Sequence, residues 1–204
     1  MTNPNYTHVT MVVDRSGSMQ AMRSEAQEGI NLILKEQFLE DGEVSFTLVD
    51  FDNESTDVER LRRTTFEYTL EPRSNTALLD AVGFEIERTG ADLAQMPEDQ
   101  RPARVLFVIV TDGEENASRH HTFGTVAELI RRQTTDYGWN FQYIGPEAGA
   151  WQGQRIGAKT SSHSGRARGM TGAYKEMNES LKSFRKSDPA SEFLMAEFIA
   201  DDED

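Results

Sequence analysis

The sequence contains no cysteine among its 204 residues. This absence excludes disulfides, thiolate metal sites and cysteine nucleophiles, and it is compatible with a reducing compartment. Long apolar runs are also missing, because the longest, residues 105–110, is far below the roughly 20 residues that span a membrane. The first ten residues have neither a basic start nor an apolar block. We therefore expect no signal peptide, no membrane span and a cytoplasmic location.

Positive charge is scarce, with 21 Lys and Arg against 35 Asp and Glu and a formal net charge of −14. Such a surface repels nucleic acid, so we expect no nucleic-acid partner. Part of the acidic excess is local, since residues 188–204 form an acidic C-terminal tail. The sequence also lacks a glycine loop ending in Gly-Lys-Ser or Gly-Lys-Thr. This argues against ATP hydrolysis by a P-loop.

Short apolar runs alternate with amphipathic segments along the chain. The runs at residues 9–13, 44–51, 105–110 and 140–144 predict strands, and the segments at 19–38, 76–88, 122–137 and 170–184 predict helices. This alternation predicts an α/β fold, a three-layer α/β/α sandwich around a Rossmann-like, doubly wound and mostly parallel sheet. We expect about six strands, with residues 57–65 as one antiparallel edge strand. Residues 1–187 then form a single domain.

Several segments carry weaker patterns. Residues 3–7 are polar and predict a surface segment, and residues 90–101 predict a connector with a helical turn at 92–95. Residues 145–172 are rich in Gly, Ser and Ala and predict a divergent, loop-rich part of the domain. Within it we expect a short helix at 148–156 and a mobile loop at 157–169.

Three small polar residues follow the first predicted strand at intervals of two. The predicted strand ends and a predicted helix begins at this stretch, which contains Asp14, Ser16 and Ser18. Gly17 permits the turn between the two elements. That spacing directs one carboxylate and two hydroxyls towards one point. Such oxygens form part of a shell for a hard cation such as Mg²⁺, which also retains water ligands.

Here the sequence resembles a known family. Asp14-x-Ser16-x-Ser18 is similar to the first segment of the metal-ion-dependent adhesion site (MIDAS) of von Willebrand factor type A (VWA) domains. That site takes a threonine from a second loop and an aspartate from a third. Thr76, in the segment 75–82, matches the first, and Asp112, in the segment 111–116, matches the second.

The resemblance implies a small intracellular VWA domain of prokaryotic or phage-like type that is not an enzyme. It implies that the five matched residues bind Mg²⁺, or Mn²⁺ or Ca²⁺, some of them through water. The metal keeps a position for an Asp or Glu of a partner protein, as in an adaptor or assembly factor. Relatives work beside AAA+ ATPases or in other multi-gene systems. Candidate rim residues that contact such a partner are Arg15, Glu114, Glu115 and Asn116.

Other interpretations of the same residues stay open. Asp14, Ser16 and Ser18 are also typical caps of a following helix. A Mg²⁺-dependent hydrolase or phosphatase is an alternative function, although no histidine is placed by a recognisable motif to activate a serine. The metal could instead be purely structural and tie three loops together. For His120 and His121 we expect a surface loop, because no third His or Cys is spaced nearby.

Overall fold

The computed structural model describes residues 1–163, 167–189 and 199–200. Most of the predicted acidic tail and the centre of the predicted loop 157–169 therefore lie outside the described residues. The strands are Asn3–Asp14 (β1), Glu43–Phe51 (β2), Ser55–Arg62 (β3), Pro102–Val110 (β4), Asn140–Pro146 (β5), Lys159–His163 (β6) and Ile199–Ala200 (β7). The α-helices are Arg23–Gln37 (α1), Leu78–Gln95 (α2), Phe123–Tyr137 (α3), Ala150–Ile156 (α4) and Ala167–Lys186 (α5).

The described strands form one sheet in the order β3-β2-β1-β4-β5-β6-β7. β3 pairs antiparallel with β2 at one edge, and all the other pairs are parallel. β7 contributes only two residues, so the sheet has six longer strands. The predicted fold class, a mostly parallel sheet with one antiparallel edge strand, is confirmed.

Helices cover both faces of the sheet, because side chains alternate along the buried strands. Met11 and Val13 of β1 join the apolar cluster beneath α1 and α5, whereas Val12 joins the cluster beneath α2, α3 and α4. β4 alternates in the same way and is buried along nearly its whole length. A strand enclosed on two sides reads as a continuous apolar run, and this explains why β4 is evident from the sequence.

Two boundary predictions are wrong in part. The surface segment predicted at 3–7 reaches only to residue 5, because β1 begins at Asn3 and Tyr6 is fully buried. The helical turn predicted at 92–95 is the last part of α2, which continues without a break from Leu78 to Gln95, so the connector begins only after Gln95. The predicted first helix is in fact two elements, a 3₁₀ turn at Gly17–Met22 followed by α1.

The predicted mobile loop at 157–169 is also wrong over most of its described part. Residues 159–163 form β6, and α5 begins at Ala167. β6 has no apolar residue, yet Ser161 and Ser162 are buried, and Gln142 of β5 donates a hydrogen bond to the Ser161 hydroxyl. Hydrogen bonding and not apolar burial holds this strand, so the sequence pattern gave no sign of it. No helix in the described part of the chain is long and apolar enough to cross a membrane.

Candidate metal centre

The predicted site lies where the winding of the sheet reverses. The chain builds outward from β1 to β3 on one side and then from β4 on the other. β1 and β4 are therefore parallel neighbours, with Val13 opposite Val110. Asp14 ends β1, and Asp112 lies two residues beyond β4. Crevices outside the carboxyl ends of strands at such a switch point are the usual ligand sites of α/β sheets.

The first segment is connected by its own hydrogen bonds. The backbone N–H of Ser16 donates to Oδ1 of Asp14 at 2.6 Å, and the hydroxyls of Ser16 and Ser18 lie 3.0 Å apart. Ser18 then donates to Oδ1 of Asp112 at 2.8 Å. Asp14 and Ser16 are buried, whereas Ser18 is exposed. The group thus runs from the interior to the surface and joins the first predicted segment to the third.

A neighbouring threonine holds the deeper carboxylate. The Thr111 hydroxyl donates to Oδ2 of Asp14 at 2.5 Å, and the backbone N–H of Gly113 donates to that hydroxyl at 3.2 Å. Both oxygens of Asp14 are therefore engaged. Thr111 is not among the residues predicted for the site, although it directly precedes Asp112 and its hydroxyl is suitable for this role.

Thr76 stands just before α2 and reaches the same point. Its carbonyl accepts from the backbone N–H groups of Asn116 and Ala117 at 3.0 and 3.2 Å. A methyl group on Gly113 would lie 3.4 Å from both the Ser18 and Thr76 hydroxyls and 3.9 Å from Oδ2 of Asp14. A small space at Gly113, in the third segment, is therefore bordered by side-chain oxygens from the first and second segments.

Burial perturbs both carboxylates. It raises the pKa of Asp14 to about 6, against the opposing effect of the hydrogen bonds from Thr111 and Ser16, and nearby Asp112 adds to the rise. Burial likewise raises the pKa of Asp112, against the hydrogen bond from Ser18. Two partly desolvated carboxylates close together disfavour their charged forms. A bound dication would favour those charged forms instead.

The donor set fits a hard divalent cation. Its members are oxygens only, two carboxylates and three hydroxyls: Asp14, Ser16, Ser18, Thr76 and Asp112. No group of three or more His, Cys, Asp or Glu side chains able to hold a metal occurs among residues 1–163, 167–189 and 199–200. The cluster therefore suits an ion that completes its shell with hydroxyls and water, such as Mg²⁺, and not an ion that needs nitrogen or sulfur.

Arg15 does not lie on the rim, in contrast to the sequence prediction. Its side chain is buried, and its Nε donates to Oδ2 of Asp52 at 3.0 Å while its Nη2 donates to Thr56 at 2.9 Å. Arg73 donates to the same Asp52 oxygen at 2.7 Å. The acidic end of β2 thus draws Arg15 inward, where it ties the first metal segment to β2 and β3.

The other three rim candidates differ in their surroundings. Glu114 is exposed, as expected for a rim residue. Glu115 instead accepts from the backbone N–H groups of Leu79, Ala117 and Ser118 at 2.9, 2.9 and 2.7 Å. It therefore holds its own loop against the start of α2. Asn116 accepts from the backbone N–H of Thr76 at 3.1 Å, so it positions a predicted ligand.

A cleft of about 710 Å³ opens beside the site. The turn between β2 and β3, the start of α2 and the loop after β4 line it. Asp80 accepts from the backbone N–H groups of Arg119, His120 and His121 at 2.7, 2.9 and 2.7 Å, which orders this wall. His121 packs edge-on against Phe84 with ring centroids 4.8 Å apart, and His120 is exposed.

Comparisons with protein-family models and with curated proteins give no match. Solved structures do resemble this chain. Proximal thread matrix protein 1 from the mussel byssus is 17% identical with a TM-score of 0.60, over 88% of this chain and 46% of that one. A von Willebrand factor type A structure from Catenulispora acidiphila is 15% identical with a TM-score of 0.60, over 84% of this chain and 42% of that one. The vWF domain of the type V pili tip protein Mfa5 from Porphyromonas gingivalis is 10% identical with a TM-score of 0.61, over 92% and 98%.

These similarities establish the fold. The chain has the von Willebrand factor A fold, as its sheet order and covering helices also indicate. It spans less than half the length of the mussel and Catenulispora proteins. Because the sequence identities are low, the similarities define the architecture only. The chemistry of the site has to be argued from the residues of this chain.

Proposed function

We propose that this protein binds a partner protein through a divalent metal held in a MIDAS-type site. The observation that carries the proposal is the convergence of Asp14, Ser16, Ser18, Thr76 and Asp112, from three segments, at the topological switch point of the sheet. When bound, the metal supplies a positive charge with a coordination position for an external carboxylate. In one structure of the mussel protein, with a TM-score of 0.56, the MIDAS motif is occupied by zinc.

The role of each residue in the site would depend on how deeply it is buried. Asp14 is buried and held by Thr111, so it forms the floor of the site. Ser18 and Asp112 lie at the open side and hydrogen-bond to each other at 2.8 Å. A metal there would face solvent on one side, where an Asp or Glu of the partner can reach it. The exposed Glu114 and the adjacent cleft would then contribute to partner selection.

Mg²⁺ is the proposed metal, with Mn²⁺ and Ca²⁺ as alternatives, because all of them take oxygen ligands. The proposed setting is a small intracellular, cytoplasmic, prokaryotic or phage-like protein that acts as an adaptor or assembly factor. An AAA+ ATPase or another component of a multi-gene system is the proposed kind of partner. Nucleic acid and membrane are not proposed as partners.

We propose no enzymatic activity. A serine nucleophile needs an adjacent base. Among the described residues, the hydroxyls of Ser16 and Ser18 hydrogen-bond to each other, the Ser18 hydroxyl donates to Asp112, and no hydrogen bond joins either serine to a histidine. A Mg²⁺-dependent hydrolase or phosphatase is the competing function, and turnover of a generic phosphate ester with Mg²⁺ would reveal it. A purely structural metal is the other competing function.

Titration calorimetry of Mg²⁺ and Mn²⁺ into metal-stripped protein tests the metal site. We expect binding to the native chain and its loss in Asp112→Asn, which removes a charge at the open side. The matched control is Glu114→Gln, which removes a charge two residues away and should bind as the native chain does. Equal binding by both variants, or no binding by a folded native chain, would contradict the proposal.

A second experiment tests the capture of a carboxylate. Native protein and the Asp112→Asn variant are immobilised and offered cell extract in Mg²⁺ and in EDTA. A partner that is retained only by the native chain and only in Mg²⁺ is expected, and replacement of one of its exposed Asp or Glu residues should abolish retention. Metal binding without any such partner would favour the purely structural role.

A further inference from the structure

One buried side chain outside the five predicted ligands contacts the third metal segment directly. Gln152 belongs to α4, in the region 145–172 to which the sequence assigned no motif, and its side chain is fully buried. Its Oε1 accepts from the backbone N–H of Glu115 at 2.8 Å. Its Nε2 donates to the carbonyl of Gly113 at 3.0 Å and to the Tyr143 hydroxyl at 3.2 Å.

These contacts bracket the turn that follows Asp112. One is made to Gly113 and the other to Glu115, so the amide of Gln152 bridges the backbone on both sides of residue 114. Because peptide units are planar, fixing a carbonyl and an N–H two residues apart limits the dihedral freedom between them. The direction in which the chain leaves Asp112 is thereby constrained from outside the metal segments.

The constraint extends to the second segment. Beyond Glu115, the backbone N–H of Asn116 donates to the carbonyl of Thr76 at 3.0 Å. The loop that leaves Asp112 therefore ends against Thr76. Gln152 hydrogen-bonds to the start of this loop. The loop follows one predicted ligand, Asp112, and its far end contacts the other, Thr76.

Close packing of α4 on β5 places Gln152 under the loop. A methyl group on Gly153 would lie 2.5 Å from Cγ of Tyr143, a distance that real contacts do not reach. The Tyr143 hydroxyl donates to the carbonyl of Gly149 at 3.2 Å, just before α4. Gly153, inside the helix predicted at 148–156, is thus needed for the close approach of α4 to β5.

We infer that Gln152 is a positioning residue of the metal centre, which holds the Asp112 loop in its ligand-bearing shape through Gly113 and Glu115. The expected effect of Gln152 on metal affinity rests on the proposed function, whereas its hydrogen bonds to the loop do not depend on that function. A buried amide group whose partners are lost costs free energy, so the loop and α4 keep each other in place. Outer hydrogen-bond partners of metal ligands typically change affinity by about 10–100-fold.

Gln152→Met tests this, because methionine has a similar size and makes none of the three hydrogen bonds of the Gln152 amide. The matched control is Gln154→Met, at an exposed position of the same helix. Two readouts are taken well below the unfolding temperature: amide hydrogen exchange without metal, and Mg²⁺ affinity by calorimetry. We expect Gln152→Met to speed exchange of the Glu115 amide at least tenfold and to weaken Mg²⁺ binding about tenfold or more. The control should match the native chain in both.

Unchanged exchange at Glu115 together with unchanged affinity in Gln152→Met would overturn the inference. If the native chain binds no Mg²⁺, the proposed function fails, and the exchange measurement alone then decides whether Gln152 holds the loop. If Gln152→Met does not fold, Tyr143→Phe replaces it. That variant removes one partner of the Gln152 amide and should speed exchange at Glu115 by a smaller factor, and native exchange there would overturn the inference.

Discussion

The packing of α5 on α1 can be tested at a single glycine. Gly29 lies in α1 opposite Tyr174 of α5, which is fully buried. A methyl group at Gly29 would lie 2.3 Å from Cδ2 and 2.8 Å from Cβ of Tyr174. Rotation of the ring cannot relieve a contact with Cβ, because that atom is attached to the backbone of α5. The two helices would therefore have to separate.

The expected change in the free energy of unfolding of Gly29→Ala is the sum of two opposing effects. Overpacking a well-filled core costs about 1–3 kcal/mol, whereas Gly to Ala in a helix interior gains up to about 1 kcal/mol. Subtracting a gain of about 1 kcal/mol leaves Gly29→Ala destabilised by up to roughly 2 kcal/mol relative to the native chain. For a chain of this length each kcal/mol lowers the midpoint of thermal unfolding by about 2–4 °C.

A matched control separates the two terms. Gly90 lies inside α2, and a methyl group there would have its nearest neighbour, Nε2 of Gln133, at 3.6 Å. Gly90→Ala should gain the helix term alone, about 0.5–1 kcal/mol. Thermal and urea unfolding of both variants are the assays. A Gly29→Ala chain that is stabilised as much as Gly90→Ala would refute this account of the α1–α5 interface.

Two further predictions concern a buried acid and a helix cap. Burial raises the pKa of Asp50 to about 6, against the hydrogen bond that Tyr68 donates to it at 2.7 Å. The folded chain therefore binds a proton more tightly than the unfolded chain, so Asp50 lowers stability as pH rises from about 4 to 6. Asp50→Asn should lack this decline, so its free energy of unfolding relative to that of native protein should rise by about 2–3 kcal/mol from pH 4 to pH 7. Urea unfolding at several pH values measures this difference, and parallel pH profiles of the two chains would contradict the prediction. Thr122 caps α3 by accepting from the backbone N–H of Thr125, so Thr122→Ala should lower the free energy of unfolding by about 1 kcal/mol, and an unchanged urea midpoint would contradict it.

Much of the metal centre could be predicted because its signals are local in the sequence. Asp14 and Asp112 each follow an apolar strand, and parallel strands deliver their ends to one edge, so their proximity follows from pattern alone. Thr76 needed the family resemblance, since its loop has no strand to place it. The structure brings these residues together, while metal binding itself stays a prediction.

What the sequence by itself determined is the alternation of buried strands and amphipathic helices, because apolar periodicity is a property of neighbouring residues. The tertiary structure alone decided the features that depend on distant partners. β6 is held by hydrogen bonds from β5. Arg15 points inward because it forms an ion pair with Asp52, which directly follows β2. Gln152 reaches the Asp112 loop because Gly153 lets α4 approach β5 closely. Polar contacts of this kind join residues far apart in the chain, and no local period records them.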